Sequence, residues 1–230
     1  MRHVSLSVQG VPAILLGDTS DKVYIFVHGQ GGCKEEAENF AAIAAPCGWQ
    51  VLAADLPEHG GRDDGKRLLP WVVVPELQNV LQYAQGNWGR VSVRATSIGA
   101  WFSMLAYAGG SIEKCLFVSP VLDMEKLIEG MMRQSNVTAE RLQREKEVPV
   151  GFGQTLSWDY LSHVRQHPIC SWDIETEILH GEHDVMTSAG AADAFASRFR
   201  CGLTRMKGGE HWFHTDEQLR VMADWEEAHI

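Results

Sequence analysis

Val91-Ser92-Val93-Arg94-Ala95-Thr96-Ser97-Ile98-Gly99 is the stretch on which the reading of this chain turns. Its first residues carry the apolar, β-branched character of a buried strand. The pattern breaks at a serine followed by small residues and a helical run from Ile98 to about Ala108. A hydroxyl at a sharp strand-to-helix turn is pushed clear of its own backbone, and the next N–H is left to face a developing oxyanion. Such a turn needs small residues two positions to either side so that strand and helix pass closely, and here they are Ala95 and Gly99. Ala95 stands where the full G-x-S-x-G pattern has glycine. The stretch alone therefore also admits a plainer reading, in which Ser97 is the N-cap of its helix.

The surrounding rhythm supplies context. Val4 to Val8 and Ala13 to Leu16 alternate around a Gln9-Gly10 turn and predict an N-terminal hairpin. Strands are then predicted at Val23–Val27, Trp49–Ala54, Arg90–Thr96, Cys115–Val118, Glu175–Leu179 and about Leu203–Met206. Helices are predicted at Glu35–Ala45, about Val74–Gln85, after Ser97, near Ala189–Phe199 and from about Asp216. This alternation predicts an α/β fold with a mostly parallel central sheet covered by helices on both faces. One interval departs from it. Between Leu122 and Trp172 about fifty residues separate adjacent strands, a length that is usually functional. Helical patterns near Met124–Arg133, Ala139–Glu147 and Thr155–Gln166 make 122–172 a short helical cap insertion in a single domain spanning 1–230.

Composition bounds the function. At 230 residues with 45% apolar content the chain can bury a sizeable core, and no apolar run is long enough to span a bilayer. Met1-Arg2-His3 leads straight into alternating residues without the pattern of a secretory signal, and five scattered cysteines suggest neither a disulfide framework nor a zinc site. A cytoplasmic location is expected. Twenty basic against thirty acidic residues, a net charge of −10, disfavour nucleic acid as a partner. No membrane association is expected, and a small neutral molecule fits better.

Open parallel sheets deliver functional residues at the carboxyl ends of their strands. Those ends hold His28-Gly29-Gln30-Gly31-Gly32, Asp55-Leu56-Pro57-Glu58-His59-Gly60, Ser97, His180-Gly181-Glu182-His183-Asp184, and Gly208-Gly209-Glu210-His211. In this order the motifs resemble the α/β-hydrolase superfamily, in its serine esterase and lipase-like branch, over nearly the whole chain. The resemblance implies Ser97 as nucleophile, Asp184 as acid and His211 as base, in the chain order Ser, Asp, His. It also implies an oxyanion hole made by the N–H groups of Gln30 and Ile98. Chemistry gives each a reason: His211 removes the serine proton and returns it to the leaving alcohol, and Asp184 fixes the imidazole tautomer.

Plainer roles stand beside these. His28 and His59 read as residues that hold their own loops, and Cys33 as a small packing residue. Asp123 also follows a strand and is the rival for the acid, whereas Asp173 precedes its strand. His180 with His183, and His211 with His214, have an i, i+3 spacing without matching carboxylate or cysteine partners, so no metal and no cofactor is expected. Among Trp71, Trp101, Trp158, Trp172, Trp212 and Phe213, most belong to a core, and Trp158 and Trp212 are the candidate substrate-pocket walls. The resulting expectation is a serine hydrolase that cleaves a small-molecule carboxylic ester through an acyl-enzyme. The same triad also serves a thioester, an amide or a peptide bond. The alternative from another class is a ligand-sensing protein of this fold with little turnover.

Overall fold

A computed structural model describes residues 1–151 and 154–230. It separates into two compact units, Met1–Leu122 together with Ser171–Ile230, and Asp123–Cys170. Along the first part of the chain run β1 (His3–Val8), β2 (Val11–Leu16), β3 (Lys22–Val27), α1 (Ala37–Ala44), β4 (Gln50–Ala54), α2 (Pro70–Asn87), β5 (Arg90–Thr96), α3 (Ile98–Tyr107) and β6 (Lys114–Val118). The second unit holds α4 (Met124–Gln134), α5 (Ala139–Glu145), β7 (Glu147–Pro149), β8 (Thr155–Ser157) and α6 (Trp158–Gln166). The chain then returns through β9 (Glu175–Gly181), α7 (Ala189–Phe199), β10 (Gly202–Met206) and α8 (Asp216–His229).

The first unit is built on an eight-stranded sheet in the order β1-β2-β4-β3-β5-β6-β9-β10. β1, β2 and β4 pair antiparallel in turn, and every later pair is parallel. The hairpin turns at Gln9 and Gly10, both at positive φ (50° and 88°), which matches the twist of the strands it joins. The inner strands read as continuous apolar runs because both faces are covered. On one face Tyr24 and Phe26 of β3 join Val51 and Ala53 of β4, Phe40, Ala41 and Ala44 of α1, and Trp225 of α8 in one buried cluster. Tyr24 and Phe40 meet edge to face with ring centroids 5.0 Å apart, a geometry worth about 1 kcal/mol beyond burial. α2 and α3 pack against each other and on the sheet.

Two expected boundaries are corrected. α2 starts at Pro70, before the predicted Val74, because proline at the first helical position gives up only an N–H that has no helical partner anyway. Thr155–Ser157 is a strand, where a helix was expected. It pairs antiparallel with β7, and α6 begins only after Ser157, whose hydroxyl accepts the Tyr160 N–H at 3.3 Å. Within this second unit Arg165 of α6 donates to Glu125 and Glu129 of α4 at 2.6 and 3.3 Å. Among the described residues no helix is long and apolar enough to cross a membrane.

Sheet topology decides where a site forms. From β3 the chain moves outward to β4 on one side, then returns to place β5 on the other side of β3. The loops after β3 and β5 therefore diverge at one edge of the sheet and leave a crevice between them. That edge carries His28–Gly32 and Ser97.

Candidate active site

Ser97 sits between β5 and α3 at φ 51°, ψ −121°. A non-glycine residue there costs about 1–3 kcal/mol and is kept only where its surroundings enforce it. Backbone bonds on both sides do so: the Ser97 N–H donates to the Val118 carbonyl at 3.0 Å, and the Ser97 carbonyl accepts the Val121 N–H at 3.1 Å. Gly99 lets α3 pass close over the end of β3, since a Cβ there would collide with the carbonyl oxygens of His28 and Val27. The Ser97 side chain makes no capping bond to its helix, which overturns the N-cap reading. Its Oγ instead lies 2.8 Å from His211 Nε2.

His211 lies on the loop after β10, and its Nδ1 is 2.7 Å from Asp184 Oδ2 on the loop after β9. The other oxygen of Asp184 accepts the Met186 and Thr187 N–H groups, each at 2.8 Å. Burial pushes the Asp184 carboxyl up, but the bonds from His211 and these amides outweigh it and hold the group below the usual carboxylate range. An ionised carboxylate only accepts, so the His211 proton sits on Nδ1 and the Nε2 lone pair faces the serine hydroxyl. The three residues form a continuous hydrogen-bonded chain able to take a proton from Ser97 and stabilise the resulting imidazolium. Gly181 lets the two loops touch, because a Cβ there would run into the carbonyls of Gly209 and Glu210.

A second layer holds these loops. His180 is fully buried and pairs in register with Arg205 of β10. Arg205 donates to His180 Nδ1 at 2.6 Å, so His180 carries its proton on Nε2 and donates to the Thr187 carbonyl at 3.0 Å. Burial lowers its pKa. The His28–Gly32 loop is fixed the same way. His28 is fully buried; its Nε2 accepts the Leu56 N–H at 3.0 Å, and its Nδ1–H donates to the Gly29 carbonyl at 2.8 Å. Burial pushes the His28 imidazole down to about 4, so it is neutral at pH 7. In a trans peptide C=O and N–H point in opposite directions. Drawing the Gly29 carbonyl toward His28 therefore turns the Gln30 N–H the other way. His59 accepts the Gly31 N–H at 2.8 Å, and buried Asp55 accepts the Lys34 N–H at 2.8 Å and its ammonium at 2.7 Å. Among the described residues no hydrogen bond occupies the N–H of Gln30 or of Ile98. The loop lies beside the serine: a Cβ on Gly29 would sit 3.3 Å from Ser97 Cβ.

The other sequence candidates separate. The Asp123 carboxylate is taken up as a helix cap: it accepts the Lys126 N–H at the start of α4 at 3.0 Å. Burial pushes the Cys33 thiol up, which does not favour a thiolate there. Trp212 is 75% exposed, whereas Trp101, Trp172 and Phe213 are buried. Trp158 is half-buried at the start of α6, in the second unit. Among the described residues no three His, Cys, Asp or Glu side chains converge to hold a metal ion. The sequence reading did not single out Asp55 or Arg205. Asp55 had a signal in its D-x-P-x-H-G motif, while Arg205 is revealed only by strand pairing.

No protein-family model matches the chain, and no curated protein sequence matches it. Solved structures do. The chain is similar to Est1E from Butyrivibrio proteoclasticus with ferulic acid bound, at 18% identity and TM-score 0.80, over 98% of this chain and 97% of that one. It is similar to mouse alpha/beta hydrolase domain-containing protein 10 at 11% identity and TM-score 0.74, over 99% and 98%. A thioesterase domain from the curacin biosynthetic pathway is similar at 14% identity and TM-score 0.63, over 98% and 99%. Each likeness spans the whole fold.

Proposed function

On the α/β-hydrolase fold that this chain has, we propose a serine hydrolase that cleaves a small carboxylic ester through an acyl-enzyme. The observation that carries the reading is the convergence of Ser97, His211 and Asp184 from three separate loops, with contacts of 2.8 and 2.7 Å in the order the chemistry requires. Ser97 Oγ attacks the ester carbonyl carbon while its proton passes to His211 Nε2. The carbonyl oxygen becomes an oxyanion between the Gln30 and Ile98 N–H groups, each worth about 3–4 kcal/mol in comparable sites. The carbon–oxygen bond to the alcohol then breaks, and the leaving oxygen takes the proton from His211. Water, deprotonated by the same imidazole, attacks the acyl carbon; the carbon–Oγ bond then breaks, Ser97 Oγ takes the proton back from His211, and the acid leaves. Apart from substrate and water, every group in this sequence is a side chain or amide of the chain itself, so these steps call on no metal or cofactor.

The same steps serve a thioester, and the likeness to a thioesterase domain favours that as the second reading. Matched oxygen-ester and thioester substrates separate the two readings. With a nitrophenyl ester, the purified protein is expected to give a burst of about one nitrophenol per chain followed by steady turnover, and Ser97→Ala neither phase. One equivalent without steady turnover would point to a sensor and contradict the hydrolase reading. A matched acyl thioester then ranks the two substrate classes by kcat/KM.

A further inference from the structure

The loops that carry Asp184 and His211 also carry apolar side chains left in solvent: Val185 is 94% exposed, Trp212 75% and Met186 47%. They follow Asp184 and His211 directly in sequence, and the 2.7 Å contact between those two residues brings the loops together. The indole is already ordered. It stacks on His214 with centroids 5.1 Å apart and planes 27° from parallel, and His214 Nδ1 donates to the Trp212 carbonyl at 3.0 Å. An exposed apolar group held in place gives up little further freedom when something lies against it.

Reaction geometry says which half of a substrate that is. In acylation the Ser97 oxygen forms a bond to the carbonyl carbon, the carbon–oxygen bond to the alcohol breaks, and the alcohol oxygen leaves with the proton held on His211 Nε2. That oxygen must therefore come within hydrogen-bond reach of His211, which places its substituent on the His211 side of the scissile bond. The acyl group extends from the other bond of the carbonyl carbon. We infer that Trp212, Val185 and Met186 form the wall that receives the alcohol half, and that the substrate is an ester of an uncharged apolar alcohol. Glu182 and Glu210 stand in the same two loops, Glu210 3.5 Å from His214, and their charge opposes an anionic alcohol. This inference rests on the serine-hydrolase reading above.

The test uses acetate esters of ethanol, hexanol, cyclohexylmethanol and glycerol, followed by acid release, together with ethyl esters of acetic, hexanoic and cyclohexylacetic acids. In the wild-type protein hexyl and cyclohexylmethyl acetates are expected to exceed ethyl and glyceryl acetates in kcat/KM. Trp212→Ala should reduce the hexyl-to-ethyl alcohol ratio by about tenfold or more, and Val185→Asn should reduce it in the same direction. The hexanoate-to-acetate ratio among the ethyl esters should keep its wild-type value. A faster glyceryl ester, an alcohol ratio unmoved by Trp212→Ala, or a shift confined to the acyl series would overturn the assignment. Fluorophosphonate labelling of each variant reads the nucleophile separately: loss of labelling in the wild type would sink the hydrolase reading itself, whereas retained labelling with the wrong ratios sinks only the alcohol wall.

Discussion

Replacing His28 by asparagine should remove a defined part of the protein's acid sensitivity. The native imidazole is fully buried and neutral, accepting the Leu56 N–H on Nε2 and donating to the Gly29 carbonyl from Nδ1. Burial penalises the charged ring, and protonation would also place a second hydrogen against the Leu56 N–H. The ring therefore resists it down to about 4, against 6.5 for an ordinary histidine. The unfolded chain binds this proton from about pH 6.5 downward while the folded chain does not, so folding stability is full above that pH and falls as pH drops toward 4. The shift corresponds to about 3 kcal/mol in full, about three quarters of it lost by pH 4.5. Asparagine keeps a donor near the Nδ1 position but cannot titrate, so its lower stability should lack this slope. Urea unfolding of both proteins from pH 7.5 to 4.5 gives the difference directly, and the contributions of other groups cancel in it. Parallel stability curves for wild type and His28→Asn would refute the buried neutral imidazole and, with it, the way the Gln30 peptide is held.

Asp184→Asn should lower turnover by about 10⁴ through the wrong imidazole tautomer. Asp123→Asn should leave turnover intact and, as a cap replacement, cost well under about 1 kcal/mol of stability; kcat for both variants decides which aspartate is the acid. Arg94→Met strands the carboxylate of Glu226, its buried partner at 2.7 Å, and should cost about 3–5 kcal/mol in denaturant unfolding. The double change with Glu226→Leu should recover most of that loss. A single-variant cost below about 1 kcal/mol would mean that water reaches the pair.

What the sequence made legible follows from how local each feature is. β5 was read with its observed ends, Arg90 and Thr96, because a glycine precedes it and the elbow serine follows it. The Gln9-Gly10 turn was equally local. β7 and β8 were missed because three-residue strands carry no period, and the Ser157 cap was absorbed into an expected helix. Strand ends pointed to Ser97, Asp184 and His211, which the structure joins by hydrogen bonds, because parallel sheets bring the loops after their strands to one edge. His180 was visible as a residue but not as a support, since its partner Arg205 is 25 positions away and meets it only through the pairing of β9 with β10. The exposure of Trp212 is likewise tertiary, while its neighbour Phe213 is buried.

The proposed hydrolysis requires Ser97 as the nucleophile. A fluorophosphonate probe, followed by intact mass and peptide mapping, measures this without any knowledge of the substrate. One adduct per chain, located on Ser97 and absent from a folded Ser97→Ala variant, is the predicted result. An adduct mapped to another serine, or undiminished labelling of Ser97→Ala, would contradict it.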